Sequence, residues 1–300
     1  MNKIKLGLYA LLLITVFASC EDLLRGSILE VELPAHESKL APYAFFKDTD
    51  SVLVVKVGKS VGVLDTINPD VVLGATVELF KNGNLEYTFI YNPISNAYEV
   101  DLGQPFAAVE GDEYELRVSK EGFETSSAIQ RVPRKVTIDT AEIKLGGGVD
   151  QFGNTVDIVN LTFTDPANVN NYYEFGGSVN VIYRDPFDSS IVYQFENTLN
   201  FDSNDPNYEN GILSDIVFDG QQYMIRLESY LSFFAGSDNV EFTGQISMYS
   251  TTAEYAAFIR SLNAYWNADG NPFAEPVILY SNTSTNLGVF GILVTQSIDL

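Results

Sequence analysis

The sequence predicts an all-β protein of two domains with one late α-helix, and three observations carry that reading. Apolar and polar residues alternate at period two through much of the chain. Strand-sized runs are broken at short intervals by Asn-Gly, Gly-Asp and Asp-Pro pairs, the residues of tight turns. A helical period occurs convincingly once, after residue 250. The expected layout is a signal peptide over 1–19, a lipidated tether over 20–27, an N-terminal immunoglobulin-like or transthyretin-like sandwich over 28–133, and a C-terminal antiparallel β domain over 134–300 with a helix at 251–267. A length of 300 residues with 46% hydrophobic content is enough for two cores.

The opening segment carries Lys3 and Lys5, then an apolar run from Leu6 to Val16. That run is too short to span a hydrocarbon layer of about 30 Å, so it reads as a cleaved signal. Val16-Phe17-Ala18-Ser19-Cys20 follows as a lipobox, with Phe17 where leucine is usual. Cys20, the only cysteine, stands where a thiol would be acylated. Each buried methylene contributes about 0.8 kcal/mol, so two or three acyl chains would hold the protein on a membrane almost permanently.

Beyond the tether, Leu29, Val31 and Leu33 alternate with Glu30 and Glu32 as a half-buried strand, and Val52–Val57 is a denser interior run. Val77 and Leu79 continue toward Asn82-Gly83, whose positive φ angles suit a hairpin. Tyr98 and Val100, then Tyr114, Leu116 and Val118, extend the series to about seven strands. Arg131-Val132-Pro133-Arg134 reads as the domain boundary. The second domain is expected to begin with Val136–Leu145, turn at Gly146-Gly147-Gly148 and return through Val156–Phe163. Further strands are expected at 172–183, 191–201, 212–218 and 222–227, punctuated by Asp165-Pro166, Asp185-Pro186 and Asp219-Gly220.

Thr251 and Glu254 have capping-box spacing, and Tyr255, Phe258, Ile259, Leu262 and Trp266 fall on one helical stripe expected to pack on the second sheet. Gly270 and Pro272 end the helix, and strands at 277–280 and 288–294 close the chain.

Composition excludes several chemistries. With 40 acidic against 17 basic residues, a net charge of −23, the chain repels nucleic acid. Acylation of Cys20 would leave no thiol for disulfides or zinc, and His36, the only histidine, rules out triads and multi-histidine metal sites. His36 reads as a loop residue. Asp202, Asp205 and Glu209 in the loop DSNDPNYENG offer oxygen ligands for calcium, though without EF-hand spacing, and a solvated acidic loop is the favoured reading. Aromatics crowd the second domain: most sit on strand patterns, while the loop residues Phe187 and Tyr208 are the best placed to stack on a sugar. No carboxylate pair is singled out for glycoside hydrolysis, so no catalytic residue, cofactor or metal ligand is assigned.

Several residues in order resemble a Bacteroidota outer-membrane lipoprotein family of unknown function: the lipobox, Asp165-Pro166 with Asn171-Tyr172-Tyr173, Phe218-Asp219-Gly220 with Tyr223, the late helix, and 271–276 leading to Gly288-Val289-Phe290-Gly291. Glu21-Asp22 resemble the surface-export signal of such lipoproteins, pointing to the cell surface, with the periplasmic face as the alternative. Members are often encoded beside TonB-dependent transporters, so the resemblance implies an accessory role at the outer membrane, reached through the lipid anchor. The expected function is a non-catalytic binding or accessory module for a transporter importing a nutrient. The alternatives are a surface protein binding a glycan or other small nutrient, a glycoside hydrolase, or a structural envelope protein.

Overall fold

A computed structural model describes residues 36–62, 71–150, 152–185, 187–188, 190–230, 240–271 and 273–300. The lipobox with Cys20, the tether and the strand expected at 29–33 lie outside the described residues, as do Pro186, Phe233, Phe234 and Pro272. The chain divides into Met1–Glu37 and a compact unit, Ser38–Leu300.

Among its described residues the larger unit is mostly β, with one late helix. In chain order its strands are β1 (Leu40–Lys47), β2 (Val52–Lys59), β3 (Thr76–Lys81), β4 (Asn84–Asn92), β5 (Ala97–Asp101), β6 (Glu113–Ser119), β7 (Ser126–Arg131), β8 (Ile138–Val149), β9 (Thr155–Thr164), β10 (Tyr172–Arg184), β11 (Val192–Leu199), β12 (Tyr208–Glu209), β13 (Ile212–Ser214), β14 (Gln222–Ser229), β15 (Val240–Thr251) and β16 (Val289–Asp299), with helix α1 (Ala253–Ala268) before the last. Thirteen strands form one sheet in the order β12-β13-β10-β15-β16-β1-β2-β5-β4-β3-β6-β7, with β11 also on β10, and β14-β9-β8 form a smaller one.

The large sheet is mixed. Its β1 and β16 run parallel, pairing Tyr43 with Val289 through Lys47 with Leu293, while every other ladder is antiparallel. The C-terminal strand is therefore not confined to the second half of the chain. Phe290, Ile292 and Val294 complete a core whose other members run from Leu40 to Val132, while Ile298 and Leu300 pack on a second core that begins at Val136. The two cores thus change over around Pro133, but β16 serves both. Gly288 permits the entry into β16: its φ is +99°, and a Cβ there would lie 2.1 Å from the Pro42 carbonyl oxygen.

Several local expectations are corrected. The strand β1 had no legible alternation because most of its residues are buried and Pro42 interrupts the pattern. The glycine triplet lies inside β8 as a register irregularity, and the chain reverses instead beyond it, where the Asp150 carboxylate accepts from the backbone N–H groups of Phe152 and Asn154. Val277–Tyr280 is not a strand: Ile278 is exposed, and the Tyr280 N–H donates to Ser261 Oγ on the helix at 2.9 Å.

The helix cap falls one residue later than expected. Thr252, not Thr251, is the N-cap, its hydroxyl accepting from the Tyr255 N–H at 3.4 Å. Tyr255, Ala256 and Phe258 are buried, with Phe45 of β1 against both aromatic rings. Trp266 is 61% exposed, so the stripe does not pack along its whole length. Its register carries the indole past the edge of the covered face. No helix among the described residues is long and apolar enough to cross a membrane.

Candidate functional site

Three aspartates from distant parts of the chain meet where the two sheets join. Asp165 follows β9, while Asp215 and Asp219 lie between β13 and β14; each offers one carboxylate oxygen within 4.8 Å of the others. Asp165 is 3% and Asp215 2% exposed, whereas Asp219 faces solvent. Charge buried at this density demands donors. The hydroxyl of fully buried Tyr173 donates to Asp165 Oδ1, and the Gly220 N–H donates to its Oδ2 at 3.0 Å. Asp215 Oδ2 accepts from the Asn171 N–H at 2.7 Å and from its side-chain amide at 3.3 Å, and Asp219 accepts from the Asn168 N–H at 2.8 Å.

Burial raises the Asp215 carboxyl above the ordinary carboxylate range, and repulsion from Asp165 adds to the effect after partial relief by the Asn171 N–H. Burial likewise raises the Tyr173 phenol, with Asp165 as the second cause, so that hydroxyl keeps its proton and donates. Three oxygens so placed suit a hard divalent cation; with their present partners they already form a hydrogen-bonded staple.

Aromatic packing encloses the staple. The Phe218 and Tyr223 rings stack 3.9 Å apart, and Phe163 meets Tyr173 at 4.8 Å and Phe218 at 6.0 Å. Gly220 closes the turn because a Cβ there would lie 2.5 Å from Ala167 Cβ. Asp165-Pro166, Asn171, Tyr173, Phe218, Asp219-Gly220 and Tyr223 read in the sequence as separate turn and strand residues. The fold brings them to one node linking β9 and β14 with β10 and β13. Their Asp-Pro and Asp-Gly pairs were visible, but Asp215 carried no local signal.

The node also shapes one wall of a groove of about 500 Å³. Asn171, whose amide donates to the Pro166 and Val169 carbonyls at 3.2 and 3.0 Å, holds that wall together with Pro166 and Val169. The end of β7 supplies a second wall with Arg131 and Arg134, fixed by Gly111 N–H to Val132 O at 3.0 Å and Val132 N–H to Asp112 O at 2.9 Å. The N-terminus of α1 supplies the third through Thr252, Ala253 and Glu254. Arg134 lies 4.0 Å from Glu110 and Arg131 3.3 Å from Glu113, exposed pairs worth little energetically. The volume falls within the range of ligand and peptide clefts.

The other candidates fall elsewhere. Asp202, Asp205 and Glu209 are not drawn into a common ligand set: Asp205 accepts from Asn207 and from the Tyr223 hydroxyl, Asp202 makes a backbone bridge to Glu228, and Glu209 lies in β12. Among the described residues the only carboxylate triad within ligand distance is Asp165, Asp215 and Asp219. Asp150, Asp202 and Glu228 instead line a smaller cleft with Tyr230, where hydrogen bonds led by the Asn154 side chain hold the Asp150 carboxyl down at about 2. Phe187 is 98% exposed in the β10–β11 connection, and Tyr208 borders a concavity beside α1 that does not include Phe187. His36 is exposed.

A family model described as a domain of unknown function, DUF4249, matches residues 27–299. The chain belongs to this family. Its match spans both cores, the staple and the groove. No curated protein matches the chain. Among solved structures, a chain titled "Biofilm associated protein - B domain" is 8% identical over 87% of this chain and 85% of its own, with a TM-score of 0.20.

Proposed function

We propose that the protein is a lipid-anchored outer-membrane lipoprotein, held through Cys20, that serves as a non-catalytic accessory to a TonB-dependent nutrient transporter, with the groove between the staple and β7 as its contact surface. The groove carries the proposal. In a chain of net charge −23, its rim gathers Arg131 and Arg134 opposite the N-terminus of a sixteen-residue helix, balancing Glu110 and Glu254. The two arginines offset the two glutamates, so the net negative charge of the chain is locally cancelled at the groove.

The lipobox and the implied genomic setting support the membrane part of the reading. Anchorage would confine the groove close to the bilayer and raise its effective concentration for a membrane partner, so modest intrinsic affinity suffices. Glu21-Asp22 directly behind Cys20 supports the cell surface over the periplasmic face.

The test is purification of the tagged, full-length protein from detergent-solubilised membranes after mild crosslinking. A TonB-dependent transporter should accompany it in near-stoichiometric amount and be lost from the Arg131→Glu, Arg134→Glu double variant. Recovery of both forms without a transporter would overturn the proposal.

A further inference from the structure

Trp266 is the only tryptophan in the chain, and it projects from the last turns of α1 rather than into a core. About 20 Å along the helix from Thr252, it borders a separate concavity of about 330 Å³. A single exposed apolar side chain is ordinary; its surroundings are what distinguish this one. The rest of the lining is mostly polar: Asp202, Asn210, Asn263 and Asn267 with Tyr208, alongside Phe201 and Gly211.

These walls are braced. Asn263 Nδ2 donates to the Asn210 carbonyl at 2.7 Å, which pins the β12–β13 turn against the helix and orients the amide. The Tyr208 hydroxyl donates to the Phe201 carbonyl at 3.3 Å, and the Phe175 ring lies 6.3 Å away, so its side chain is held in place. A flat apolar face therefore adjoins groups that both donate and accept hydrogen bonds, without a cationic side chain in the lining.

That combination selects among ligands. Asp202 and the overall negative charge disfavour anions, including nucleotides. Phe201 and Tyr208 also line the concavity but are half-buried, so Trp266 alone presents an exposed aromatic face, whereas a quaternary ammonium needs several around it. A pyranose ring matches both elements, because its C–H face stacks on an indole while its hydroxyls exchange hydrogen bonds with amides and a carboxylate. We propose that this concavity binds a neutral pyranose unit of a saccharide, with Trp266 as the stacking platform and Asn263, Asn267 and Asp202 as the hydroxyl partners. The proposal goes beyond the transporter-accessory reading and does not depend on it, since the junction groove shares no residue with this site.

The emission of the sole tryptophan reports the site directly. The full-length protein is titrated with maltohexaose, xylohexaose and mannohexaose, each to about 10 mM, a concentration that reveals even millimolar dissociation constants. At least one should give a saturable change in Trp266 emission. Calorimetry with that saccharide should show affinity lowered at least about tenfold in Trp266→Ala, partly retained in Trp266→Phe, and weakened in Asn267→Ala. Both positions are exposed, and unchanged circular dichroism would establish that the variants fold. No response to any of the three, or a binding isotherm unchanged by Trp266→Ala, would overturn the proposal. Failure of transporter co-purification would leave this result untouched.

Discussion

The hydroxyl of Tyr173 on β10 donates to the buried carboxylate of Asp165 beyond β9, joining strands of the two sheets. The bond lies where neither partner has water as a substitute. Tyr173→Phe removes the donor while leaving the ring, which contacts Phe163, in place. It should destabilise the protein by about 1–3 kcal/mol, the cost of leaving a buried acceptor short of a partner, measured as a lower urea midpoint with unchanged m-value.

Asp215 provides a pH test of the same node. Burial raises its folded-state pKa above the unfolded value of about 4, so the native state binds the proton more readily. The stability this group contributes is complete below the unfolded pKa and is lost as pH rises through the folded-state pKa. Asp215→Asn keeps an acceptor for the Asn171 N–H and removes the charge. Thermal unfolding should show the variant more stable than the native protein at neutral pH, with the advantage vanishing toward about pH 4.

At Gly288 the prediction concerns backbone shape. Alanine there would combine a positive φ with a Cβ driven against the Pro42 carbonyl, beside the first pair of the parallel ladder. A loss of about 3 kcal/mol or more is expected, read as a large fall in melting temperature, because β16 completes both cores.

The helix cap separates two adjacent threonines. Thr252→Ala should cost about 1 kcal/mol and expose the Tyr255 amide to hydrogen exchange. Thr251→Ala should leave that amide protected, since the Thr251 hydroxyl donates instead to the Tyr172 carbonyl at 3.3 Å.

How much of this was legible in the sequence depends on how local the cause is. The β3–β4 hairpin was readable because Asn82-Gly83 sets its own turn and the flanking alternation sets the faces. β15 carries no comparable local signal: all twelve of its residues pair with β10 and seven of them also with β16, so its place is set by neighbours on either side. The staple was present only in fragments. Asp165 and Gly220 are 55 positions apart, and nothing in either neighbourhood encodes their meeting. Trp266 shows the converse: helical periodicity placed it on the apolar stripe, but only the edge of the covered surface decides where a stripe stops being buried.

The most direct test of the junction groove as the transporter contact is site-specific photo-crosslinking in intact cells. A photoreactive residue replaces exposed Asn170 on the groove wall, and a control replaces Ile94, exposed in the β4–β5 turn. A crosslink from position 170 to a TonB-dependent transporter, absent from position 94, is the predicted result. No transporter adduct from position 170, or equal adducts from both positions, would contradict it.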